Sequence, residues 1–266
     1  MANNFAEIHS NWQYVISPSR PSIYEIERIR SALQTVDREK PIAVLGSTIE
    51  FRNLLHSMDF QNIFVFERNK AFYEWTNSWI THGLEFENVI WGNWLDTIKN
   101  YSQYFAVVLS DLTMGNISYD ERGRFYDDIY NAIENGGTFI DKVLTHCMPH
   151  IPLDELMQKY ERLPINLENI NRFSCEILFC STLLNEEVID TSRFYDFLAR
   201  KYTTPVLTKF IDKAHLITPE NCVWYYGKMW NELESQYKNR YSCVTTYEDY
   251  PCSPYYGRCK QFVHIK

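Results

Sequence analysis

The stretch Pro41-Ile42-Ala43-Val44-Leu45-Gly46-Ser47-Thr48-Ile49-Glu50-Phe51-Arg52 decides the fold. Its first half is a short apolar run that stops at a glycine. A run without polar alternation suits a strand buried on both faces of a parallel sheet. Its second half places Gly, Ser and Thr ahead of a segment, Phe51 to Met58, that reads as a helix. A nucleotide site needs a tight turn and close backbone approach at such a junction. With one Gly rather than three, the loop alone is equally compatible with an ordinary strand-to-helix turn.

Downstream, the same grammar repeats. Ile63-Phe64-Val65-Phe66 is a second strand ending at Glu67, and a helix follows from about 70 to 81. Val89-Ile90-Trp91 and Phe105-Ala106-Val107-Val108-Leu109 are the third and fourth strands. A helix over 119–134 stops at Asn135-Gly136-Gly137, and a fifth strand starts at Thr138-Phe139-Ile140 and reaches Leu144. Strand–helix alternation with turn residues at each junction implies a parallel sheet covered by helices on both faces. Upstream, Ser22 and Glu25 form a capping box for a helix over 21–33, whose Ile23, Ile26, Ile29 and Leu33 recur at helical spacing. Residues 150–235 read as mostly helical, clearest at 153–160, 191–201 and 222–237. Two β-rich segments, 242–247 and 261–265, then form a terminal antiparallel pair around a turn-rich loop.

Four strand ends carry the candidate chemistry. Gly46, Ser47 and Thr48 form the first. Glu67 lies 21 residues beyond Gly46, where a carboxylate can accept both hydroxyls of a ribose; the alternative is a solvated surface Glu. Asn93 and Trp94, in Gly92-Asn93-Trp94-Leu95-Asp96, offer an amide and an aromatic plane to an adenine, unless Trp94 is core. Asp111, followed by Leu112 and Asn116, stands where open α/β sheets bind ligands, outside the carboxyl ends of strands. Its alternative role is a loop cap.

In this order the residues resemble the class I S-adenosylmethionine-dependent methyltransferases. They are similar to bacterial members with a Gly-Ser/Ala-Thr-Pro-Glu-Leu-Arg first loop and a Gly-Asp-Trp-Leu-Asp third loop. The motifs span roughly 40–145, and the terminal pair resembles that family's last two strands. The sequence departs from the pattern at Ile49, where Pro is frequent, and at Asn93, where Asp is usual. The resemblance implies a doubly wound, seven-stranded sheet of order 3-2-1-4-5-7-6 with the last strand antiparallel. It implies S-adenosylmethionine as cofactor, with Gly46, Ser47 and Thr48 beneath it. Glu67, with Arg68 beside it, would hold the ribose, Asn93 and Trp94 the adenine, and Asp111 with Leu112 the methionine end.

Residues 150–239 are then a helical cap inserted between the fifth and sixth strands, far longer than a crossover needs. Residues 1–39 form an N-terminal arm and helix, and 40–149 with 240–266 the cofactor-binding unit. Tyr14, Asn116 and Trp224 are the expected acceptor contacts. His146 is a candidate general base alongside Asp111, unless it is a surface loop histidine. No metal is expected, because Pro149 disturbs the helical spacing of His146 and His150 and the late cysteines lack a close pair.

The net charge of −8, with no basic run, argues against a nucleic-acid partner. No apolar run approaches a membrane span, and Met1-Ala2-Asn3-Asn4-Phe5-Ala6-Glu7 lacks the character of a signal peptide, so a cytoplasmic protein is expected. A small molecule or peptide fits an acidic protein with an aromatic-rich cap as acceptor. Two rivals stand beside methyl transfer: another nucleotide enzyme on the same architecture, and a non-catalytic interaction protein on a degenerate methyltransferase fold. The acceptor and the oligomeric state are open.

Overall fold

In the computed structural model, β1 (Ile42–Leu45) is buried at every position, as an apolar strand covered on both faces must be. The structure describes residues 19–144, 151–180, 188–217, 223–225, 230–248 and 259–266. Tyr14 and Trp12 lie outside the described residues, as do His146 and His150.

The remaining strands are β2 (Ile63–Glu67), β3 (Glu87–Trp91), β4 (Phe105–Asp111), β5 (Ile133–Leu144), β6 (Val188–Asp190), β7 (Val223–Tyr225), β8 (Cys243–Glu248) and β9 (Cys259–Ile265). Seven of them form one sheet of order β3-β2-β1-β4-β5-β9-β8, while β6 and β7 pair separately. Strands β1 to β5 run parallel, and β9 is antiparallel to both neighbours, with Thr138 opposite Ile265 and Cys243 opposite Ile265. Counting the sheet's own strands, this is the expected 3-2-1-4-5-7-6 order.

The period of two along each strand sorts the core. Ala43, Leu45, Phe66, Val108 and Phe139 face one side. There they meet α5 (Tyr119–Ala132) and α10 (Trp230–Lys238), through Phe125, Ile129, Leu233 and Tyr237. Ile42, Val44, Ile63, Val65, Val107, Leu109 and Ile140 face the other, against α1 (Ile23–Leu33) and α2 (Ile49–Ser57). The capping box of α1 forms: the Glu25 N–H donates to Ser22 Oγ at 3.3 Å and the Ser22 N–H donates to Glu25 Oε2 at 2.6 Å. Helices α3 (Lys70–Asn77) and α4 (Trp94–Thr97) complete the sheet's connections.

The insertion has its own core. Helices α6 (Leu153–Glu161), α7 (Leu167–Cys180), α8 (Thr191–Lys201) and α9 (Pro205–Ile217) bury Leu156, Tyr160, Phe173, Ile177, Leu198 and Phe210 together. Two sequence expectations need correction. Residues 222–237 are not one helix: Val223-Trp224-Tyr225 pair with Val188-Ile189-Asp190, as a β-branched and aromatic triplet prefers, and α10 begins only at Trp230. The fifth strand starts at Ile133 rather than Thr138 and passes through the two glycines. Gly137 packs so tightly that a Cβ there would sit 2.8 Å from the Ala106 carbonyl oxygen and 2.6 Å from Ile133 Cγ2. The Gly-Gly pair is therefore a close-packed strand segment and not only a helix stop. Among the described residues, no helix is long and apolar enough to cross a membrane.

Candidate functional site

Parallel strands aim their carboxyl ends at one edge of the sheet, and the following turns enclose a space there. In this protein the ends of β1, β2 and β4, with Trp94 from beyond β3, line a cavity of about 300 Å³. Gly46, Ser47, Thr48, Glu67, Arg68, Trp94, Asp111 and Asn116 all contribute to its wall, as the sequence suggests. Gly46 has φ +89°, a left-handed conformation that favours glycine, and its N–H donates to the Phe66 carbonyl at 2.9 Å. That bond ties the first loop to the second strand end.

Glu67 is 5% exposed and held in place from both sides. Ser47 Oγ donates to Oε2 at 2.9 Å, and the Asn69 N–H donates to Oε1 at 2.8 Å. An ionised carboxylate offers about four acceptor sites, so each oxygen keeps capacity for a ligand hydroxyl. Trp94 Nε1 is buried at the cavity with no hydrogen-bond partner among the described residues. A buried donor without an acceptor is costly, and a ligand acceptor would satisfy it.

Three expected residues are placed differently. Asn93 is exposed and outside the cavity wall; its Oδ1 accepts the Leu95 N–H at 3.2 Å and caps α4. Leu112 is buried behind the wall at φ +54°. Trp224 packs against the core of the helical insertion, and its ring lies over the turn at Gly115, where a Cβ would come within 3.7 Å. It borders the Thr113–Asn116 turn without entering the cavity.

The structure adds residues that the sequence alone did not single out. Glu50 and Thr113 line the cavity, as do Ser19 and Pro21 from the segment before α1. Behind Asp111 lies a buried ion set: Lys142 Nζ is 3.4 Å from Asp111 Oδ1 and 3.3 Å from Glu25 Oε2. Burial pushes the Asp111 carboxyl up to about 6, against the pull of Lys142 and with Glu25 and Glu50 adding to the rise. Burial alone would lower the Lys142 ammonium, but Asp111 and Glu25 raise it above its ordinary value. The signal was present in Phe139-Ile140-Asp141-Lys142-Val143-Leu144, where two charges interrupt a buried apolar strand.

Arg52, part of the first-loop motif, does not face the cavity. It is fully buried and donates from Nε and Nη2 to Glu87 at 2.9 and 2.7 Å, and from Nη1 to Thr76 Oγ1 at 2.7 Å. His56 and Tyr73 also bond Glu87, at 2.8 and 2.9 Å. Burial would raise the Glu87 carboxyl, but the bonds from His56 and Arg52 hold it below the ordinary carboxylate value.

No family model matches the chain, and neither does any curated protein. Solved structures do. One from Rhodobacter sphaeroides, provisionally described as a zinc-dependent alcohol dehydrogenase, is 14% identical and aligns over 100% of this chain and 98% of its own, with a TM-score of 0.58. A protein from Pyrococcus horikoshii OT3 is 11% identical over 98% of both chains, at 0.54. A SAM-dependent methyltransferase from Methanosarcina mazei is 10% identical over 88% of this chain and 95% of its own, at 0.50. At such identities the likeness bears on fold alone. Together with the strand order, it shows that the chain has the class I, Rossmann-like methyltransferase fold.

Proposed function

We propose that this protein is an S-adenosylmethionine-dependent methyltransferase acting on a small-molecule or peptide acceptor. One observation carries the reading: a single cavity gathers the loop after β1, Glu67 at the end of β2, Trp94 and Asp111. Its volume is at the small end of the range for cofactor sites, roughly 300–1,000 Å³.

The cofactor, when bound, supplies a methyl group already activated on sulfur. The chain's own residues then bind, orient and exclude water. Gly46, Ser47 and Thr48 would run beneath the nucleoside. Glu67, pre-set by Ser47 and Asn69, would accept the ribose hydroxyls. Trp94 offers a ring face and a free donor to the base. Asp111, with Lys142 behind it, would stand at the amino-acid end. Desolvation and alignment are the protein's main contributions to such a displacement. The acceptor side is proposed to include Asn116 and Trp224, with Tyr14 and the base His146 contributed by residues outside the described ones.

Titration calorimetry with S-adenosylhomocysteine and, separately, NAD tests the cofactor. Binding of the first and not the second is expected; the reverse would establish the oxidoreductase rival. Transfer of a tritiated methyl group into a metabolite or peptide fraction then tests turnover. Tight cofactor binding without transfer to any fraction would favour the non-catalytic rival.

A further inference from the structure

Arg122, near the start of α5, is 5% exposed, and among the described residues its hydrogen bonds run only to backbone carbonyls. Nε donates to Ile117 at 3.3 Å, and Nη2 donates both to Met114 at 3.2 Å and to Tyr225 at 3.1 Å. Met114 belongs to the Thr113–Asn116 turn, whose Thr113 and Asn116 line the cavity. Tyr225 is the last residue of β7, in the insertion. One nitrogen therefore bonds both the cavity wall and the insertion. The contact around it is continuous. The Tyr119 ring lies 4.5 Å from the guanidinium carbon and meets the Tyr225 ring edge-on at 5.7 Å. At Gly115 a Cβ would come within 3.7 Å of both the Trp224 ring and the Tyr225 carbonyl oxygen. A charge is costly here. Nη1 is buried with no partner among the described residues, and a cation near a helix N-terminus opposes the helix dipole. An apolar side chain would fill the space without taking a charge out of water. What a guanidinium adds is a rigid fork of donors that holds carbonyls from separate segments at fixed spacings.

We propose that Arg122 is a positioning residue that couples the insertion to the cavity: a ligand that orders the Thr113–Asn116 turn also seats β7, and a seated β7 tightens ligand binding. This rests on the cavity being the cofactor site. The coupling is reciprocal, because two equilibria that share one contact must bias each other equally. The same fork sets Asn116 and Trp224, the proposed acceptor contacts, relative to each other, since Met114 lies just before the first and Tyr225 directly follows the second.

Hydrogen exchange on the full chain, read at the paired segments 188–190 and 223–225 with and without S-adenosylhomocysteine, tests the coupling. In the wild type, saturating ligand is expected to slow exchange of this strand pair by about fivefold or more, the low end of ordinary coupling. Arg122→Met fills the space and removes the three bonds. Its ligand-induced slowing should disappear, and its affinity for S-adenosylhomocysteine, by calorimetry, should fall by about the same factor of five. Val223→Ala is the control for a merely structural role. It loosens the same strand pair without touching Arg122, so exchange without ligand should rise while the ligand-induced slowing persists. If Arg122→Met does not fold, Tyr119→Leu takes its place: it removes the ring beside the guanidinium and should at least halve the slowing. A wild type that binds S-adenosylhomocysteine without slowing exchange at the pair would overturn the proposal. So would equal slowing in the wild type and in the Arg122 or Tyr119 variant. A wild type that does not bind S-adenosylhomocysteine would overturn the cofactor-site reading and this inference with it.

Discussion

At the scale of single residues, Glu67 is the sharpest test of where the ribose lies. Glu67→Ala removes both acceptors from the cavity wall, and cofactor affinity should fall by about 2–3 kcal/mol, roughly 30- to 150-fold, by calorimetry. Unchanged affinity would move the ribose elsewhere. His264 makes a different prediction. It is fully buried among Phe139, Tyr237, Tyr241 and Phe262, with ring centroids 4.0 to 5.5 Å away. Neither ring nitrogen has a hydrogen-bond partner among the described residues, and burial lowers its pKa to about 3. Its folded pKa lies below the ordinary 6.5, so below pH 6.5 the unfolded chain takes a proton that the folded chain refuses. Stability is therefore lost as pH falls from about 6.5 towards 3, by about 1.4 kcal/mol per pH unit. His264→Phe keeps the aromatic packing and removes that loss. The gap in Tm between variant and wild type should widen from about pH 7 to about pH 5. Asp111 and Asp141, whose carboxyls burial raises to about 6 and about 7, act in the opposite direction but are shared by both proteins and cancel in the comparison. Parallel Tm curves would mean that His264 gains a proton without cost.

At the scale of elements, the Arg52–Glu87 network fastens α2, α3 and β3 to one another on the side of β2 away from β1. Arg52→Leu would strand Glu87 in the interior, and denaturant unfolding should report a loss of about 3–5 kcal/mol. A loss under 1 kcal/mol, the range of exposed pairs, would show that water reaches the network. Gly137→Val should also destabilise, by more than about 2 kcal/mol, because its side chain would meet the Ala106 carbonyl. These elements show what the sequence makes legible. The runs ending at Gly46, Glu67 and Asp111 are visible because strands buried inside a parallel sheet are nearly all apolar, whereas the edge strand β3, with no fully buried position, shows only as the short run Val89-Ile90-Trp91. The capping box of α1 is visible because it is local. The start of β5 was hidden because Gly-Gly signals a stop to a helix and a close approach to a strand alike. The β6–β7 pair was hidden because a strand of three residues leaves no periodicity. The Glu25–Lys142–Asp111 set was hidden because it joins three distant elements. Asn93 shows the converse: its place in the motif suggested an adenine contact, whereas its side chain caps α4.

At the scale of the whole molecule, the insertion's core and the sheet's two cores are separate clusters. The insertion's core is joined by Leu144, at the end of β5, and by Trp224, over the turn that walls the cavity. A ligand in the cavity stabilises only what unfolds with it. S-adenosylhomocysteine at a hundredfold above its Kd should add about 2.7 kcal/mol to the sheet's stability. If the insertion melts as one unit with the sheet, near-ultraviolet and far-ultraviolet signals will shift together; if it melts first, part of the transition will ignore the ligand. The sheet order has a further consequence, for synthesis. Strand β9 lies between β5 and β8, so β8 leaves the ribosome before the strand that joins it to the sheet. Until residues 259–265 emerge, a nascent chain carries an open flank on β5 and an unattached β8, both templates for pairing with other chains. Pairing of β9 thus closes the flank of β5 and attaches β8 in one step, so a chain whose β9 has not yet paired is the form exposed to aggregation.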